Sequence, residues 1–136
     1  MSVTLTNPAG MPTPIPLGLY KHVAVATGTR TVTLAGQVGW NSEGVLVSDT
    51  LGGQLVQSFR NVRTGLESVG ATFDDLVRVT IYAARWSPDM TEEFDTAIAD
   101  VRREMGWSPA PLALIGVDIL YIPEIRVEVE ATAVLP

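Results

Sequence analysis

TLGGQLVQSFRNVRTGLESVGATFDDLVRVTIYAA, residues 50–84, holds two periods in succession. Leu55, Phe59, Val62, Leu66 and Val69 recur at four, three, four and three residues, which is the stripe of one helix. Gly70 follows where a helix commonly ends in left-handed geometry. Gln54, Gln57, Arg60, Asn61 and Arg63 fall off the stripe, on faces that meet solvent or a neighbour. From Leu76 to Ala84 the period drops to two, with Val77, Val79 and Ile81 on one side and Arg78, Thr80 and Tyr82 on the other. A helix followed directly by a two-faced strand is the unit from which the rest is read.

Towards the C-terminus, Ser87 and Pro88 mark a turn, and Phe94, Ile98, Val101 and Met105 trace a second helix closed by Gly106. Glu92, Glu93 and Asp95 read as the preference of a first helical turn for negative charge. Leu112 to Leu120 is apolar and bracketed by Pro109, Pro111 and Pro123. Ile125 to Val134 alternates, with Val127, Val129 and Ala131 on one face and Arg126, Glu128, Glu130 and Thr132 on the other. Towards the N-terminus, His22 to Ala26 and Arg30 to Gly36 are β-branched runs joined by ThrGlyThr, which predicts a hairpin. NSEG, residues 41–44, is a polar turn before a short ValLeuVal segment. A proline-rich lead-in occupies about residues 1–14. The predicted order is β-β-α-β-α-β-β, an α+β fold with two helices on one face of a mixed sheet and a second face left to be covered by copies of the chain.

Bulk composition narrows the function classes. The 136 residues suit one domain, and 46% hydrophobic against 18% charged residues predicts a packed core rather than disorder. A net charge of −6 argues against nucleic-acid binding, which relies on Lys and Arg neutralising phosphates. The absence of cysteine removes disulfides, thiolate nucleophiles and Cys-based metal sites, and a single histidine, His22, makes no His-rich metal centre. No metal or other cofactor is expected. The N-terminal stretch lacks the basic and apolar regions of a signal peptide, and no run is long enough to span a membrane, so the expectation is a cytoplasmic protein without membrane association. Phosphate-cradling GxxxxGK[ST] and GxGxxG motifs and the GxSxG elbow are absent.

Several segments, in order, resemble those of the RidA/YjgF family: GLYKHV (Gly18 to Val23), LeuAlaGlyGlnVal (Leu34 to Val38), QLVQSFRNVRTGLESVG (Gln54 to Gly70), LVRVTIY (Leu76 to Tyr82) and VEVEATAV (Val127 to Val134). The resemblance runs from about Pro14 to the C-terminus. It implies a chorismate mutase-like fold, a homotrimer with its sheets around a central barrel, and small-molecule clefts between neighbouring subunits. In deaminating members an arginine after Pro-Ala forks onto a substrate carboxylate, and a glutamate on the last strand positions the water that hydrolyses an imine to a ketone and ammonia. A tyrosine and a serine complete that set.

Carried over by position, the glutamate falls on Glu128 and the tyrosine on Tyr20, which are the implied catalytic pair. The serine falls on Ala35, with Gly36 beside it offering a backbone N–H. The arginine falls on Pro111 or Leu112, neither of which binds an anion through its side chain, and an asparagine early in the second helix is replaced by Phe94. Arg126, about 7 Å along the strand from Glu128 on the same face, is the candidate substitute for the missing clamp. The resemblance thus implies an imine deaminase-like hydrolase of altered specificity, or a non-catalytic trimer that binds a small molecule. An endoribonuclease role, also attached to the family, has little chemical basis in an acidic chain without paired histidines.

Overall fold

The structure, a computed structural model, describes residues 3–14, 18–107 and 109–136. Part of the proline-rich lead-in and Ser108 of the SPAPLALIGV run lie outside the described residues. Among the described residues, six strands and two long helices follow one another as β1 (Val3–Thr6), β2 (Val23–Ala26), β3 (Arg30–Thr33), α1 (Leu51–Glu67), β4 (Leu76–Ala84), α2 (Thr91–Met105), β5 (Leu112–Val117) and β6 (Val127–Leu135). β3, β6, β4 and β5 form a mixed sheet in that order, antiparallel except for β4 with β5. The α+β architecture with two helices on a mixed sheet is the one expected.

Two sequence readings are corrected at the N-terminus. The lead-in opens with β1, whose Val3 is buried and pairs opposite Ala26 of β2 in a separate two-stranded sheet. Four residues are too few for alternation to stand out beside the prolines that follow. The predicted hairpin between β2 and β3 does not form: β1 occupies the edge of β2, and β3 pairs with β6 instead. At the ThrGlyThr connection the Thr29 amide donates to the Leu135 carbonyl at 3.1 Å, and a Cβ on Gly28 would run into that backbone, its carbonyl carbon only 2.8 Å away. Glycine there permits a close approach to β6, not a tight hairpin turn.

α1 starts where the Thr50 side chain accepts from the Gly53 amide and ends near Gly70, which is left-handed at φ +80°. The stripe Leu55, Phe59, Val62 and Leu66 is fully buried, whereas Val69 lies beyond the last turn and is exposed. α2 buries Phe94, Ala97, Ile98 and Val101 and ends at the left-handed Gly106. Phe59 stacks edge-to-face with Phe73 and Trp107, at 6.3 and 5.0 Å between ring centres. In β4 the register slips between Leu76 and Arg78, so Leu76 rather than Val77 joins Val79 and Ile81 in the core. β6 keeps strict alternation, with Val127, Val129, Ala131, Ala133 and Leu135 buried under the helices.

The opposite sheet face carries Arg78, Thr80 and Tyr82 from β4 and Glu128, Glu130 and Thr132 from β6, with Ile115 of β5 exposed at 42%. The Tyr82 hydroxyl donates to Glu130 at 2.7 Å. That hydrogen bond, then desolvation and the nearby Glu130 and Glu128 charges, hold the phenol above its ordinary value of 10.0. Among the described residues no helix is long and apolar enough to cross a membrane.

Candidate functional site

β6 fixes Glu128 by flanking it with Val127 and Val129, both fully buried, so the carboxylate is turned to the face away from the helices. The segment after β3 runs alongside. Leu34 N–H donates to the Ala131 carbonyl at 3.1 Å, and Gln37 and Val129 exchange amide bonds at 2.7 and 2.8 Å. Ala35 and Gly36 therefore bulge opposite the single residue Glu130. The bulge brings Gly36 against Glu128: a Cβ there would lie 2.6 Å from the Glu128 carboxyl carbon. Among the described residues, the Glu128 carboxylate makes no hydrogen bond or ion pair, and no backbone group accepts from the Gly36 amide.

The entry to β6 is held by Gln54. This side chain is fully buried and satisfied, donating to the carbonyls of Ser48 and Glu124 at 3.0 and 2.9 Å and accepting from the Arg126 amide at 2.7 Å. It stands off the helical stripe and was expected at a solvent or neighbour face. Its place is instead at the junction of α1, the loop before it and the start of β6.

Glu128, Ala35 and Gly36 share an open depression of about 1240 Å³ with Arg60, Asn61 and Trp40. Asn61 secures the loop to α1 by donating to the carbonyls of Val38 and Trp40 at 3.1 and 2.8 Å. Trp40 meets Tyr121, 81% exposed, edge-to-face at 6.4 Å. Arg60 makes a two-point contact with Glu104 at 2.7 and 2.6 Å. Their hydrogen bond raises the guanidinium pKa and holds the Glu104 carboxyl below its ordinary value.

A second pocket, of about 470 Å³, lies where the chain before β2 meets α2 and β5. Tyr20, His22, Trp86, Phe94, Asp95 and Leu112 are among its lining residues. Tyr20 and His22 pair edge-to-face at 5.3 Å, and Trp86 and Phe94 do so at 5.9 Å. The His22 ring donates through Nε2 to the Pro12 carbonyl at 2.5 Å, which fixes it against the lead-in segment. Leu112, opposite Val79 in the sheet register, is half-buried there.

Residues 11–135 match the family model described as Endoribonuclease L-PSP. The chain belongs to that family. It is 34% identical over 124 residues to a 2-iminobutanoate/2-iminopropanoate deaminase of Dermatophagoides farinae, a match covering 90% of each chain. A RutC family protein of Aquifex aeolicus is 29% identical over 121 residues, covering 89% of this chain and 92% of its own. Among solved structures, YyfB of Yersinia pestis, a member of the conserved Rid family, matches with a TM-score of 0.88 and 35% identity over 99% of this chain and all of its own. The resemblance to the RidA/YjgF family read from the sequence is therefore family membership.

Within this L-PSP family member the residues picked from sequence separate into two groups. Glu128, Ala35 and Gly36 line one depression, while Tyr20, Phe94 and Leu112 line the other. Pro111 contributes its carbonyl to the Val79 amide at 2.9 Å and lines neither. Arg126 also lines neither: its backbone bonds to Gln54 and Ala84, and its Nε is buried without a partner among the described residues. Trp40, Tyr121 and Asp95 were missed as site candidates. Trp40 and Tyr121 are 81 positions apart, and no local pattern links them. Asp95 was absorbed into a helix-terminus reading that accounts for its charge without locating it.

Proposed function

We propose that the protein is a cytoplasmic homotrimer that hydrolyses a small enamine or imine in clefts between neighbouring subunits. The observation carrying this reading is the split of the site: a free carboxylate beside an open backbone amide in one place, and an aromatic pocket in another. Each is half of the constellation that the family resemblance implies, and a neighbouring copy joins one to the other. The exposed Ile115 and Tyr121 give such a copy apolar surface to cover.

In this cleft Glu128 takes a proton from water as the oxygen adds to the C=N carbon. Glu128 returns that proton to the nitrogen, and the adduct's hydroxyl proton, relayed by the same carboxylate, follows as the C–N bond breaks, so that ammonia leaves and a carbonyl product remains. The Gly36 amide and the Tyr20 hydroxyl donate hydrogen bonds to the reacting group. With Pro111 and Leu112 at the clamp position, a carboxylate on the substrate would be desolvated without a partner, at a cost of roughly several kcal/mol. The preferred substrate therefore carries no carboxylate.

A second reading, a trimer that binds a small molecule without turnover, is favoured by one feature: Ala35, Phe94 and Leu112 all make the cleft more apolar. Ammonia release from freshly generated imines separates the two. The hydrolytic reading predicts release by the parent and its loss in Glu128→Gln; turnover unchanged by that substitution rejects it. Leu112→Arg, which puts a guanidinium in the pocket, is expected to improve turnover of carboxylate-bearing imines.

A further inference from the structure

We infer that the pocket formed by Tyr20, His22, Trp86, Phe94, Asp95 and Leu112 selects an apolar group that carries a positive charge, an organic ammonium. The inference rests on the hydrolytic reading only in placing this pocket against the neighbour's Glu128. Four aromatic side chains arranged as two edge-to-face pairs surround a space of about 470 Å³, enough for a phenyl ring or a branched alkyl group with a short arm. π faces attract cations and repel anions.

Charge around the pocket points the same way. Asp95 is its one charged lining residue, and among the described residues it makes no ion pair or hydrogen bond. It sits in the first turn and a half of α2, on the pocket side of the helix beside Phe94. Arg102, two turns further along α2, donates to the Gly18 carbonyl at 2.6 Å and does not line the pocket. An ammonium entering here meets a half-buried carboxylate and aromatic rings, whereas a carboxylate meets Asp95 and finds no cation. The substrate class that follows is an imine or enamine whose apolar arm carries a separate protonated amino group, away from the C=N carbon that Glu128 faces, and the reaction that supplies it is oxidation of one end of a diamine rather than of an amino acid.

The test uses two probes of one shape and opposite charge, phenethylammonium and 3-phenylpropanoate, titrated calorimetrically into the full-length protein. The ammonium is expected to bind at least about tenfold more tightly. Asp95→Asn, a near-isosteric change on a partly exposed helix position, should remove that preference, and Glu128→Gln should leave it intact. Equal or tighter binding of the carboxylate, no binding of either probe, or a preference that survives Asp95→Asn would overturn the inference. So would a preference lost in Glu128→Gln, which would assign it to the other carboxylate. A charge preference that behaves as expected beside turnover unaffected by Glu128→Gln would reject the hydrolytic reading and keep the pocket.

Discussion

A carboxylate serves as a base when its own chain has not already claimed it, and Glu128 meets that condition among the described residues while its neighbour Glu130 is taken by Tyr82. Glu128→Gln keeps the shape and removes the base, so we expect turnover to fall by about 100-fold or more, with stability within roughly 0.5 kcal/mol of the parent. Gly36→Ala is the complementary change. The new methyl meets the movable end of Glu128 rather than backbone, so the carboxylate is pushed aside and turnover falls, while thermal unfolding shifts little. A melting temperature that drops with activity would show that Gly36 is structural. The face that Glu128 takes was legible from sequence because β6 alternates strictly. The place of Asp95 was not, because a carboxylate in a first helical turn has a sufficient local explanation.

At the scale of elements, periodicity located α1, β4, α2 and β6 closely because each runs for nine residues or more, long enough for the period to repeat. β1, at four residues, and the partner of β2 were not legible, since strand pairing is decided by edges far apart in sequence. Gln54 shows the same limit within a helix: its amide meets Ser48, Glu124 and Arg126, and only the last two lie beyond local reach. Gln54→Leu leaves those groups without their partner, so we expect a loss of about 3 kcal/mol in denaturant unfolding. The Arg60–Glu104 pair joins the two helices but is about two-fifths exposed, so Glu104→Gln should cost under about 1 kcal/mol. Glu104 is held below its ordinary 4.5, so the pair's contribution is present above that pH and is lost as pH falls through the lowered folded-state value. The stability difference between parent and Glu104→Gln should be constant near neutrality and shrink in acid; a difference that grows in acid would contradict the assignment.

For the whole molecule, the two helices shield one sheet face, and the other presents charged and hydroxyl side chains beside the exposed Ile115. Sequence alone predicted that this second face needs covering, and a neighbouring copy that covered it would also bring the two separate hollows together. Sedimentation should give a trimer, and a substitution such as Ile115→Glu at that face should shift it towards monomer with loss of turnover and retained helical signal.

The most direct test of a site assembled from two chains is to mix two inactive variants. One, Glu128→Gln, lacks the base, and the other, Thr91→Trp at an exposed position on the pocket's rim, has its pocket blocked; each is denatured, mixed with the other in equal amounts and refolded, and ammonia release is measured. Random assembly places an intact pocket beside an intact Glu128 in about one cleft in four, so the mixture should recover about a quarter of the parental rate. A mixture no more active than its components would place both halves of the site in one chain and contradict the account.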